Sequence, residues 1–178
     1  MTTIRPATPA DVPTILRFIR DLALYEREPD SAIATEADLL RDGFCLAPDG
    51  ITPLSSPRRF DCLIAEHKDD VAEGSATPVG FALYFASYST WLGHHGLYLE
   101  DLYVSPEHRG SGLGRALLAR VAAIALEQGC GRLEWSILDW NQPSIDFYHR
   151  IGAVMKSEWL GMRITGNALT TLAASTTT

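Results

Sequence analysis

A strand-like run that turns into a helix through three glycines constrains this chain more than any other stretch. Leu97–Val104 has strand composition, and Ser105-Pro106-Glu107-His108 reads as a turn. Gly110, Gly112 and Gly114 then lead into a helix with Leu113, Leu117, Val121 and Ile124 on one face. Glycine lets backbone approach a ligand closely, and the free N–H groups of a helix start attract an anion such as a pyrophosphate. Two common phosphate loops do not fit. The third glycine of the dinucleotide fingerprint would fall at Arg115, and no Gly-Lys-Ser/Thr follows. The same glycines also suit a plain, tight strand–helix turn.

The flanking sequence indicates what this turn is embedded in. Thr2–Arg5 reads as a short strand. Thr8 is a candidate N-cap with Pro9 at the first helical position, opening a helix to about Tyr25 with Val12, Ile15, Leu16, Ile19 and Leu22 on one face. A shorter helix runs from the Thr35 cap to Gly43, and the proline-rich residues 46–58 form a loop. Strands are expected over Phe60–Glu66 and Val79–Tyr88, joined by a hairpin loop at Lys68–Pro78. After the glycine turn and its helix come a strand at Arg132–Leu138 and a helix from Asn141 to Gly152. One or two last strands are expected in Val154–Ile164, with a frayed Ala/Thr-rich end from about Ala173. The order β-α-α-β-β-β-α-β-α-β-β predicts an α/β (α+β) fold, a mixed sheet with helices on both faces, in a single domain over 1–178.

Composition removes several classes of function. The chain of 178 residues carries 22 acidic against 15 basic side chains, a net charge of −7, which argues against a surface that neutralises nucleic-acid phosphates. Cys45, Cys62 and Cys130 are odd in number and widely spaced, so neither a zinc site nor a redox pair is indicated, and no metal is expected. The N-terminus lacks a signal-peptide pattern. The longest apolar helical stretch, Ala116–Leu126, is interrupted by Arg120 and too short to span a bilayer. The expectation is a cytoplasmic protein without membrane or nucleic-acid partners.

Arg109 adds to the glycine turn. Arg109-x-x-Gly112-x-Gly114 between strand and helix resembles the acyl-CoA pyrophosphate loop of the GCN5-related N-acetyltransferase (GNAT) superfamily, and the element order is similar over nearly the whole chain. Ile4–Thr8, Leu22–Glu26, Asp42-Gly-Phe44, Tyr98–Asp101, Asp139–Ser144 and Phe147-Tyr148 look like its diamine (spermidine/spermine) acetyltransferase branch. Ser89-Thr90-Trp91 and Leu138–Gln142 are similar to the thialysine N-epsilon-acetyltransferase sub-branch.

The resemblance implies acetyl-CoA as co-substrate and a small primary amine as acceptor, and it assigns residues. The backbone of Leu102, Tyr103 and Val104 would pair with the pantetheine arm at an opened sheet edge. The N–H groups of Gly110, Ser111, Gly112, Leu113, Gly114 and Arg115 would hold the pyrophosphate, with Arg109 shaping the turn. Asn141, Gln142, Pro143 and Ser144 would contact the pantetheine amides. Tyr148 would be the general acid for the leaving thiolate. Glu100 would be either the base that deprotonates the ammonium, directly or through water, or a cation binder. A backbone N–H near Leu102, beside a β-bulge, would stabilise negative charge on the acyl oxygen.

The acceptor pocket is expected from Tyr25, Glu26, Glu100, Asp101 and Glu158, with Glu134, Trp135, Ser136 and Asp139 bordering it. Ser89, Thr90 and Trp91 stand where the polyamine form has Asp-Pro-Trp. One carboxylate fewer weakens a polyamine site, while hydroxyls suit the carboxylate end of an amino acid. The branch typically forms homodimers. Two other readings stay open: acetylation of protein amines, and a non-catalytic acyl-CoA-binding regulator.

Overall fold

The computed structural model describes residues 1–68 and 76–176, so most of the hairpin loop expected at Lys68–Pro78 lies outside the described residues. The chain divides into two compact units, Met1–Ser136 and Ile137–Thr178. No helix among the described residues is long and apolar enough to cross a membrane.

The first unit is a five-stranded sheet in sequence order. β1 (Thr2–Pro6), β2 (Asp61–His67), β3 (Thr77–Ser89) and β4 (His94–Val104) pair antiparallel, and β5 (Leu133–Trp135) joins β4 in parallel. Against one face lie α1 (Val12–Tyr25) and α2 (Glu36–Phe44), and a crossover helix, α3 (Leu113–Glu127), packs on the sheet as well. The mixed sheet expected from the sequence is present.

Local chemistry explains the helix ends. Thr8 opens a short 3-10 turn ahead of α1, donating from its N–H and hydroxyl to the Asp11 carboxylate at 2.7 and 2.8 Å. Thr35 caps α2 through a reciprocal box, its hydroxyl accepting from the Asp38 N–H at 3.2 Å while its own N–H donates to the Asp38 carboxylate at 3.0 Å. Residues 46–58 are not featureless: Asp49 accepts from the N–H groups of Ile51 and Thr52, and Leu46 bridges to Pro53.

Strand parity separates two cores. Phe81 and Leu83 of β3 join Cys62 and Ile64 of β2 and Tyr103 of β4 in a cluster with Val12, Ile15, Leu16, Phe18, Leu39 and Leu40. The alternate residue Gly80 lies under α3, where an added Cβ would stand 3.5 Å from Leu117 and only 2.7 Å from the Tyr103 carbonyl oxygen.

Two irregularities in β4 prepare the site. Leu99 pairs with Tyr84 but Asp101 pairs with Leu83, so Glu100 is an extra residue, a β-bulge two residues before the expected position near Leu102. The bulge reverses parity. Leu97 and Leu99 share the face of Ala86 and Tyr84, whereas Asp101 and Tyr103 share that of Leu83 and Phe81. In addition, β5 pairs only with Leu97–Leu99, three residues against the seven expected for that strand, which leaves Glu100–Val104 without a strand partner on that side.

The second unit holds α4 (Gln142–Arg150) and α5 (Gly166–Ala174). Residues 154–164, expected as one or two closing strands, form none, and α5 ends at Ala174, next to the point where the frayed end was expected to begin. Val154, Met155, Trp159, Leu160 and Met162 are exposed, so these apolar side chains lack the second surface that a strand would need.

Candidate active site

The glycine turn carries left-handed backbone into the start of α3. Gly110 and Gly112 have φ of 76° and 85°, left-handed values at which a side chain is strained, and an added Cβ at either would meet nothing within 4 Å. The Gly112 carbonyl accepts the Ala116 N–H at 3.0 Å, which places the N–H groups of Leu113, Gly114 and Arg115 in the first turn of α3, where helix geometry offers no acceptor. The Ser111 hydroxyl donates back to the His108 carbonyl at 2.7 Å and tightens the loop.

Arg109 shapes this turn from below. Its Nε donates to the Val104 carbonyl at 2.9 Å, and its guanidinium lies 5.0 Å from the Tyr25 ring centre and 5.7 Å from that of Tyr103. Tyr25, expected in the amine pocket, therefore braces the arginine of the glycine turn. The neighbouring residue Glu26 ends α1.

Glu26, Glu100 and Asp101 form an acidic group. Among the described residues none of the three carboxylates has a hydrogen-bond or ion-pair partner. Burial first, and then the charges of Glu100 and Glu26, push Asp101 up to about 7. Burial also raises Glu26. Glu100 is exposed, and Asp101 is half-buried on the α1 side of the sheet.

The other acceptor candidates of the first unit are elsewhere. Ser89 is buried at the end of β3 and uses its hydroxyl to accept the Leu92 N–H at 3.2 Å. It lies six strand residues beyond Leu83, the partner of Asp101, or roughly 20 Å along the strand. Thr90 and Trp91 are exposed in that hairpin turn. The Ser89 hydroxyl thus accepts one hydrogen bond within its own turn.

Near the fork of β4 and β5, Glu134 pairs with Arg132 at 2.6 Å and Trp135 is half-buried. Ser136 shares a 2.6 Å hydrogen bond with the Tyr98 hydroxyl, and the Tyr98 ring stacks on Phe85 at 5.3 Å. Tyr98 was not among the candidates. Its sequence signal is the Tyr98–Asp101 motif, in which it stands two residues before Glu100 on the same strand.

Within the second unit, Asn141 is buried at the N-cap position of α4, and its carbonyl accepts from Ser144 and Ile145. Gln142 turns onto Asp146 at 2.6 Å, and Pro143 sits in the first turn. The Tyr148 ring lies tilted against Phe147 with centres 5.1 Å apart, and burial pushes its phenol up to about 12, so it is protonated at neutral pH. Asp139 and Glu158 are exposed. No three His, Cys, Asp or Glu among the described residues are placed to hold a metal ion.

The site thus combines a mixed sheet, a β4 edge left open and a glycine turn that leads into α3. The chain matches the Acetyltransferase (GNAT) family over residues 23–153 and belongs to it, and it is an N-acetyltransferase. It is 41% identical over 174 residues to the thialysine N-epsilon-acetyltransferase of Bos taurus, covering 96% of each chain. It is 42% identical over 151 residues to spermidine/spermine N(1)-acetyltransferase-like protein 1 of Homo sapiens, covering 85% of this chain and 20% of that one. Among solved structures it is similar to the integron cassette protein VCH_CASS6 from the mobile metagenome of V. cholerae, with TM-score 0.73 and 27% identity over 98% of both chains.

Proposed function

We propose that the protein transfers an acetyl group from acetyl-CoA to a primary amine of a small molecule of the lysine-analogue or diamine type. The observation that carries this reading is the trio Glu26, Glu100 and Asp101, three carboxylates gathered with no resident cation among the described residues. Relatives named for amine acetylation support it.

Acetyl-CoA would supply a thioester carbonyl at which a C–N bond forms and the C–S bond breaks. The residues present fit that co-substrate. The open edge at Leu102–Val104 offers strand-type pairing to its amide-bearing arm, and the N–H groups of Gly110–Arg115 suit its pyrophosphate. An acidic protein can thus hold a highly anionic ligand through backbone rather than through basic side chains. On this reading a carboxylate takes one proton from the ammonium. Tyr148 gives a proton to the leaving thiolate and regains one from the new amide nitrogen, so one proton is released per turnover. The reading takes both units as one catalytic domain, supported by a family match that crosses their boundary.

A homodimer and a cytoplasmic location also belong to this reading. Exposed Met155, Trp159, Leu160 and Met162 support the first, because apolar surface of that extent commonly marks an interface. The free thiols of Cys45, Cys62 and Cys130 suit a reducing compartment.

The test is thiol release from acetyl-CoA with thialysine, a short diamine and spermidine, comparing kcat/KM. Turnover of at least one amine, with a fall of about 100-fold in Tyr148→Phe, is expected. Tight CoA binding by calorimetry without turnover of any amine would sink the reading and favour a regulator.

A further inference from the structure

We propose that Tyr98, stacked on Phe85 and bonded to Ser136, holds the carbon chain of the acceptor amine and so selects among amines. This rests on the amine acetyltransferase reading and adds a specificity-determining residue to that site.

Strand register places these side chains. Opposite residues of β3 and β4 share a face, Leu83 with Asp101 and Phe85 with Tyr98. Leu83 and Phe85 alternate on β3, so Asp101 and Tyr98 lie on one side of the sheet, the side of the cluster packed by α1. An unbroken β4 would set residues 98 and 101 on opposite faces, and the extra residue Glu100 brings them to the same one. The two pairs stand roughly 7 Å apart along β3, comparable with the length of a four-carbon diamine.

β5 adds the other wall. Glu134 pairs with Tyr98 and shares its face, as does Ser136 two residues on, whereas Trp135 pairs with Leu99 and takes the opposite face. The Tyr98 hydroxyl lies 2.6 Å from that of Ser136, the residue just past the last β4–β5 pair, so this hydrogen bond spans the point where the two strands part. The charge of Glu134 is answered by Arg132 at 2.6 Å.

The chemistry of the wall suits a chain behind a cation. The Tyr98 ring stacks on Phe85 with centres 5.3 Å apart and planes 29° apart. Neither ring belongs to the cluster under α1 and α2, and both are half-buried. An amine of the proposed class carries an ammonium at one end and methylenes behind it. The carboxylates at 100 and 101 suit the first, and rings one strand pair further along suit the second through apolar contact. A chain that ends in a second cation is also drawn to a ring face. The bond to Ser136 restrains the Tyr98 ring before the amine arrives, which lowers the cost of binding. No bond is made or broken on Tyr98: it binds and orients.

Chain length is therefore the test. With acetyl-CoA saturating, wild type should separate diamines of three and five carbons by about tenfold in kcat/KM. Tyr98→Ala should bring the two within about twofold, raise the KM of the better diamine about tenfold and change kcat less than about threefold. Tyr98→Phe keeps the ring and should keep the preference. Equal kcat/KM in wild type, a preference kept in Tyr98→Ala, or a loss confined to kcat would overturn the proposal. Unchanged CoA affinity shows that Tyr98→Ala is folded. If it does not fold, nuclear Overhauser contacts in the wild-type protein with CoA and the better diamine decide. Contacts from the Tyr98 and Phe85 rings to the methylenes are expected, and their absence would overturn the assignment. A wild-type protein that acetylates no amine defeats the acetyltransferase reading itself, whereas an active enzyme whose chain preference ignores Tyr98 defeats only this subsite.

Discussion

The two ends of α1 each border a group of carboxylates, and they are held in opposite ways. At its start, Asp11 receives both terminal guanidinium nitrogens of Arg5 at 2.7 and 2.8 Å, and Arg5 also reaches Glu66 at 2.6 Å. That contact holds the Asp11 carboxyl down at about 2. At the far end, no cation pairs with Glu26, Glu100 or Asp101 among the described residues, and burial with the charges of Glu100 and Glu26 raises Asp101 to about 7. The helix dipole favours the first arrangement and opposes the second. One group is complete within the chain and serves the fold. The other has no cationic partner among the described residues.

Breaking the complete group should cost most in stability. Asp11→Asn leaves Arg5 with half its anionic partners and should destabilise by about 2 kcal/mol in denaturant titrations near pH 7, with kcat/KM within about twofold of wild type. Because the folded Asp11 carboxyl lies below its unfolded value, its contribution is present above about pH 4 and is lost as pH falls through about 2. The variant and wild type should therefore converge in acid.

The incomplete group should behave in the opposite sense. Asp101 is raised in the fold, so the native state binds more protons than the unfolded chain between about pH 4 and 7, and stability falls as pH rises through that window. Asp101→Asn should therefore be more stable than wild type at pH 8, by roughly 1–2 kcal/mol after allowance for partial exposure, and equal to it near pH 4. A loss of stability at pH 8 would show that Asp101 has a structural partner, and the contrast with Asp11 would collapse.

The smallest effect concerns the link between the acidic group and the glycine turn. Tyr25→Leu removes the ring 5.0 Å from the Arg109 guanidinium and should weaken CoA binding about three- to fivefold by calorimetry. An unchanged affinity would confine Tyr25 to filling space.

Much of the fold was legible because its signals are local. The Thr35 cap, the apolar face of α1 and the glycines before α3 state their geometry within a few residues. The acidic residues Glu26, Glu100 and Asp101 could likewise be selected from motif and charge. Other contacts were not legible in the sequence: the Ser89 hydroxyl accepts the Leu92 N–H in its own turn, and the guanidinium of Arg109, far along the chain, lies over the Tyr25 ring. Residues 154–164 have strand composition yet form no strand, and their apolar side chains Val154, Met155, Trp159, Leu160 and Met162 are exposed.

By itself, then, the sequence determined that a strand would run through a left-handed glycine turn into α3, since backbone conformation there depends on residues in immediate succession. It also determined that two carboxylates would follow one another at positions 100 and 101. Only the tertiary structure decided which of them leaves water. One extra residue in the β3–β4 register changes the face on which Asp101 lies, and burial beside Glu100 and Glu26 then changes the pH at which it holds a proton.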